Sequence, residues 1–176
     1  MARNVRILAC TPEDVFRVFD NGWLFPVWVV GASRMRDVSG DWPAVGSRLH
    51  HSFGVWPALI DDVTEVLEYE AGRRFVLRAK GWPMGEARVA IDVKAHGEKT
   101  LVRIQEEAVA GPGAWIPGPL LDIPLRWRNA ETLHRLAYLA EGIPAHSVGA
   151  STADREISET AEDDSPAPRG EGASTS

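Results

Sequence analysis

Three polar side chains fall on strand or helix faces that are otherwise apolar. From Ser47 to Trp56, alternation groups Leu49, His51, Phe53 and Val55 on one face, opposite Arg48, His50 and Ser52. From Thr100 to Val109 it groups Val102, Ile104, Glu106 and Ala108, opposite Arg103, Gln105 and Glu107. Further on, Leu125, Asn129, Thr132, Leu133, Leu136 and Ala140 recur at helical spacing. His51, Glu106 and Asn129 are therefore the candidates for chemistry. An imidazole or a carboxylate in an apolar site can move a proton on a bound carbonyl compound, and a side-chain amide can hold its oxygen. A buried carboxylate costs several kcal/mol unless it is paired or protonated. Glu106 thus requires a partner, a raised pKa or a wet cavity beside it. The same pattern also fits a satisfied buried polar network, or strand ends that open to solvent.

Other chemistries lack their residues. His50 and His51 are adjacent and point to opposite faces of a strand, so they cannot chelate one metal. No Cys or His pair has zinc-ligand spacing, and no metal or other cofactor is expected. There is no glycine-rich phosphate loop and no Gly-x-Ser-x-Gly elbow. Cys10, the single cysteine, has no activating neighbour and reads as structural. Arg73, Arg74, Arg78 and Lys80 read as a solvated strand face rather than a nucleic-acid stripe. Seven Trp are many for a chain of this size. Trp28, Trp56, Trp82 and Trp115 flank loops or strand ends, where indoles line the mouth of a ligand pocket or simply pack. Trp115 sits in a Gly/Pro-rich loop, Gly111 to Pro119, that suits a lid.

The elements that must position these residues are short strands between two helical regions. Asn4 to Cys10 reads as a strand. Thr11-Pro12-Glu13-Asp14 opens a helix, with Thr11 as N-cap, Pro12 at the first position and Asp14 in the capping-box slot. Trp23 to Val30 is a second short apolar segment, broken by Pro26. Strands follow over residues 32–38, 47–56, 59–69, 73–80, 85–94 and 100–109, with turns at Glu70-Ala71-Gly72 and His96-Gly97-Glu98. Their alternation predicts an antiparallel sheet with one buried face. In 59–69 the phase is mixed: Leu59, Val63, Leu67 and Tyr69 share it with Asp61 and Glu65. Either those acids face inward or a bulge shifts the register. A last helix is predicted from about Asp122 to Glu141, capped by Asp122 with Pro124 in its first turn. At about 1.5 Å per residue it is long enough to lie along the sheet.

Residues 1–142 form the expected domain. All the aromatic residues precede Gly142. Residues 143–176 contain seven acids, two bases and no Leu, and are expected to be a disordered acidic tail. The 176-residue chain has one Cys and a net charge of −6. These values exclude a disulfide scaffold and argue against nucleic-acid binding. No apolar run suits a membrane span or signal peptide, so the expected location is cytoplasmic, without stable membrane insertion.

The order strand, two short helices, run of strands, long helix resembles the helix-grip fold of the SRPBCC superfamily. That superfamily includes START lipid-transfer domains, birch-pollen-allergen-like proteins and the bacterial polyketide cyclase/dehydrase group. The resemblance covers about residues 3–141. It is carried also by Thr11-Pro12-Glu13-Asp14-Val15-Phe16, by Trp28 after the helix pair, and by the turn Glu70-Ala71-Gly72-Arg73-Arg74-Phe75, where relatives often have two prolines. It implies an α+β fold: a curved antiparallel sheet wrapped around the C-terminal helix, with a cavity between them. The first expectation is a carrier or sensor of a small hydrophobic molecule, lipid or polyketide-like, contacted by Trp28, Phe53, Trp56, Trp82, Trp115 and Asn129. The alternative is a polyketide cyclase/dehydrase-type enzyme using Glu106 and His51 as acid/base groups. An interaction domain with a filled core is the third reading.

Overall fold

Strand-length runs of alternating residues, punctuated by turn sequences, build one sheet. The structure is a computed structural model that describes residues 2–55, 57–81, 85–111 and 118–142. Its strands are β1 (Ala2–Leu8), β2 (Ala32–Val38), β3 (Arg48–Val55), β4 (Ala58–Glu70), β5 (Arg74–Gly81), β6 (Gly85–His96) and β7 (Lys99–Ala110). Their spatial order is β1-β7-β6-β5-β4-β3-β2, antiparallel throughout. Helices α1 (Pro12–Asp20) and α2 (Phe25–Trp28), joined by a 3-10 turn over Gly22–Leu24, follow β1, and α3 (Gly118–Gly142) follows β7. This is the helix-grip arrangement: a curved sheet around a long C-terminal helix.

Local chemistry accounts for the helix starts. The Thr11 side chain accepts from the Asp14 backbone N–H at 3.3 Å, and an Asp14 carboxylate oxygen accepts from the Thr11 N–H at 2.9 Å. Asp thus completes a capping box in which Glu or Gln is more usual. Val15, Phe16, Val18 and Phe19 then point inward. Phe19 packs against Phe16, Trp28 and Phe75 with ring centroids 5.3, 5.3 and 5.2 Å apart. Each such fully buried side chain contributes roughly 1.5–3 kcal/mol.

Helix α3 corrects one boundary. It begins at Gly118, not at Asp122, and Pro124 lies inside it. Two prolines compete as start signals, and Pro119 occupies the first turn, where a missing N–H costs nothing. The buried stripe is Asn129, Thr132, Leu133, Leu136, Ala137 and Ala140. Two long-range bonds hold the helix along β1. Asn4 Nδ2 donates to the Arg126 carbonyl oxygen at 2.9 Å, and the Ala9 N–H donates to Glu141 Oε1 at 2.8 Å. Strand β1 itself ends at Leu8, two residues before Cys10, because Ala9 and Cys10 lead into the capped helix. Cys10 is buried, and that burial, with Asp14 and Glu141 nearby, raises its thiol pKa to about 11.

The mixed phase of β4 is resolved by a bulge. Val66 pairs with Leu77 and Glu68 with Val76, so Leu67 is the extra residue. Before it, Asp62, Thr64 and Val66 face inward; after it, Tyr69 packs on Phe16 and Phe75. Asp61 therefore points to solvent.

Candidate functional site

Between sheet and helix lies a cavity of about 480 Å³, within the usual range for small-molecule sites, roughly 300–1,000 Å³. Most of its wall is apolar. Phe25 and Trp28 come from α2, Phe53 and Ile60 from β3 and β4, and Val89 and Ile104 from β6 and β7. The polar side chains form two groups at different places on the sheet.

The first group is on β3 and β4. His51 and Asp62 are cross-strand partners. Both are buried and both line the cavity, as does Thr64. His51 Nε2 lies 2.9 Å from Thr64 Oγ1, while its Nδ1 is buried with no hydrogen-bond partner. Burial lowers the His51 pKa. The Ser52 backbone opposes this, and the charges of Arg36 and His50 add to it. The ring is therefore neutral at pH 7. Asp62 accepts a hydrogen bond from the Val63 N–H at 2.7 Å. Burial raises its pKa to about 6, against the lowering effects of that bond, Lys80 and Arg36. Arg36 is engaged elsewhere: it pairs with Asp61 at 3.4 Å and donates to the carbonyl oxygens of His51 and Asp62.

The second group joins β7 to α3. Glu106 is buried and forms an ion pair with Arg128, which donates to both carboxylate oxygens. The requirement for a partner is met by a residue that sequence reasoning missed. Arg128 lies three residues after Leu125, so its position beside the buried stripe was available from helical spacing. Asn129, the next residue, is 1% exposed, and its Nδ2 has no partner. Thr132 accepts from the Val30 N–H at 3.3 Å.

His51, Glu106 and Asn129 thus all line one cavity. His51 and Glu106 are not neighbours, however. Strands β4, β5 and β6 separate β3 from β7. At about 4.8 Å per strand, this puts about 19 Å of sheet between them. Along the curved sheet they are well apart, yet both face the same cavity. The immediate neighbour of His51 is Asp62, which the mixed phase of β4 concealed.

Phe53 lines the cavity and its ring closes over Gly31, where an added Cβ would lie 2.4 Å from the ring edge. Trp28 also lines the cavity, but as a core residue 2% exposed rather than a rim residue, because it ends α2 beneath Phe19 and Phe25. Trp56, Trp82 and Trp115 lie outside the described residues, as do residues 112–117 of the lid loop expected over Gly111 to Pro119 and the tail expected over 143–176. Among the described residues, no cluster of three or more His, Cys, Asp or Glu is placed to hold a metal. No described helix is long and apolar enough to cross a membrane.

Sheet, gripping helix and internal cavity define a ligand-binding fold, and comparison with known proteins gives its family. Residues 2–141 match the family model described as polyketide cyclase/dehydrase and lipid transport. The chain belongs to that family, within the SRPBCC superfamily. No curated protein matches it significantly. Among solved structures it is similar to StfQ, a di-domain aromatase/cyclase from the steffimycin biosynthetic pathway. The TM-score is 0.63 at 12% identity, over 80% of this chain and 50% of that one. It is similar also to DynU16, a putative protein in the dynemicin biosynthetic locus, with TM-score 0.60 and 21% identity over 81% of this chain and 48% of that one. A conserved protein from Geobacillus kaustophilus gives TM-score 0.62 at 15% identity, over 80% of this chain and 94% of that one. The chain therefore spans about half of the two biosynthetic proteins. At these identities the likeness speaks for the fold.

Proposed function

We propose that this protein binds a small hydrophobic molecule in the cavity between sheet and α3, as a carrier or sensor. The observation that carries this reading is the cavity itself: about 480 Å³ of mostly apolar wall with a few polar atoms set into it. Apolar surface supplies the affinity, and isolated polar atoms orient the ligand. At the β7–α3 end of the cavity both Glu106 carboxylate oxygens are already engaged by Arg128, so the fold itself accounts for that polar pair. Native mass spectrometry of protein purified from its own host tests the reading. A co-purifying small molecule supports it. Protein that is ligand-free and binds no apolar fluorescent probe refutes it.

Turnover of the polyketide cyclase/dehydrase type is favoured by one observation. His51 and Asp62 are adjacent in the cavity, with the imidazole held neutral and the carboxyl raised to about 6. Such groups are poised to exchange protons with a ligand near neutral pH. Glu106→Gln separates the original acid/base assignment from a binding role. A carrier keeps probe affinity within about tenfold. An enzyme that transfers protons through Glu106 loses about 10²–10⁴ in turnover while still binding.

A further inference from the structure

The charged side chains that line the cavity include one more carboxylate than cations. The charged lining groups besides Asp62 are Lys80 on β5, Glu86 on β6, Glu106 on β7 and Arg128 on α3. These four sum to zero. Glu106 and Arg128 are paired, whereas Lys80 and Glu86 are register partners on β5 and β6 that form no ion pair among the described residues, and the Lys80 charge acts on Asp62 from within the same wall. Behind the wall, the Arg36 guanidinium is engaged by Asp61 and by two backbone carbonyls. Asp62 is 7% exposed and forms no ion pair among the described residues; its one hydrogen bond comes from its neighbour's backbone N–H. Folding alone disfavours such a charge strongly.

The groups beside Asp62 are of the kind that complement a cation. His51 Nε2 lies 2.9 Å from Thr64 Oγ1, and in the tautomer in which Nε2 donates there, Nδ1 is a buried acceptor with no donor. It sits on the residue that pairs with Asp62 across the strands. The Phe25 ring lies 5.1 Å from the imidazole, and Trp28 lies 5.5 Å from Phe25, so an aromatic wall adjoins the two acceptors. A carboxylate, a neutral acceptor and aromatic faces together suit an ammonium group, through charge-assisted hydrogen bonds and cation–π attraction. A carboxylate-headed lipid would meet repulsion there.

Building on the binding role proposed above, we infer that the cavity takes a hydrophobic molecule bearing a protonated amine, held by Asp62 and His51 beside Phe25. The amine balances the excess carboxylate, and the apolar wall takes the rest of the molecule.

Matched probes test this: 1-naphthylmethylamine, 1-naphthylmethanol and 1-naphthoate, titrated calorimetrically into the full chain. At about pH 7.5 the amine should bind roughly tenfold or more tighter than the alcohol, and the carboxylate weakest. The preference should be full above about pH 6 and should shrink as pH falls and the Asp62 carboxyl takes up its proton. In Asp62→Asn, with its fold checked by circular dichroism, amine and alcohol should differ by less than about threefold. Equal binding of amine and alcohol to the unaltered protein overturns the inference and makes Lys80 the operative counter-ion. It leaves the binding role standing. A preference that persists unchanged in Asp62→Asn, or that ignores pH, overturns the assignment to Asp62. Failure of all three probes to bind overturns the binding role together with the inference. The pH series on the unaltered protein decides the matter even if the variant does not fold.

Discussion

Replacing Asp62 by Asn should stabilise the ligand-free protein, and by an amount that depends on pH. Burial lifts this carboxyl from its ordinary 3.8 to about 6. A group whose pKa is raised by folding supports the fold while protonated, below 3.8, and that support is lost as pH rises through about 6. At 1.36 kcal/mol per pKa unit, the loss across this window is about 3 kcal/mol. Asn has no charge to bury, and its side-chain oxygen can still accept from the Val63 N–H. The gap between variant and parent should therefore widen by about 2.5 kcal/mol between about pH 4 and pH 8. For a domain of this size, 1 kcal/mol corresponds to about 3 °C in thermal midpoint, so the difference at the upper pH is about 10 °C. His51 and the other titrating groups are shared by both proteins and largely cancel in the comparison. The assay is urea unfolding of both proteins across this pH series, with the slope checked for constancy. A gap that is the same at both ends of the series would mean that the charged Asp62 is solvated in the folded state. The electrostatic argument for the cavity would then collapse.

Other expectations concern the frame. Leu136→Ala should cost about 2–5 kcal/mol, because Leu136 is completely buried on the sheet-facing side of α3. A surface-like change within about 0.5 kcal/mol in chemical denaturation would show that the helix faces another way. Gly85→Ala should lose at least about 2 kcal/mol by the same assay. Gly85 has φ +111°, and an added Cβ would sit 1.9 Å from the Ala110 carbonyl oxygen. A neutral result would mean that the β6–β7 edge relaxes freely. Removing residues 143–176 should leave the thermal midpoint within a few degrees if that segment adds no core contacts. A larger drop in calorimetry would extend the domain beyond Gly142.

Local rules made most of the frame visible in the sequence. The Thr11 cap, the turns and the alternation in β3, β6 and β7 are set by neighbours in the chain, so residues 32–38 could be read as a strand without knowing its partners. The burial of His51, Glu106 and Asn129 follows from the same alternation and helical spacing. The missing information was non-local or hidden by an irregularity. Asp62 and Thr64 were masked because the bulge at Leu67 reverses parity, and Tyr69, the most apolar-looking anchor of that strand, lies beyond it. The separation of His51 from Glu106 depends on strand order, which alternation does not encode. Trp28 looked like a rim residue because a short helix and a loop flank it, yet packing by Phe19 and Phe25 takes it into the core.

The polar atoms of the cavity separate by whether the fold itself satisfies them. Thr64 has His51 Nε2, Thr132 has the Val30 N–H, and Glu106 has Arg128. Their place in an apolar interior is explained by folding without reference to a ligand. His51 Nδ1 and Asn129 Nδ2 are different: each is buried without a partner, a cost of roughly 1–3 kcal/mol apiece. Asp62 adds a charge that burial disfavours. The sheet and helix supply these groups to the same cavity from opposite walls, so no small rearrangement of one element satisfies them all. On the binding role proposed above, a molecule with a cationic donor toward β3 and β4 would meet the Asp62 carboxylate. The Asp62 charge and these unpaired atoms, together with the apolar wall, would then set which molecule is held.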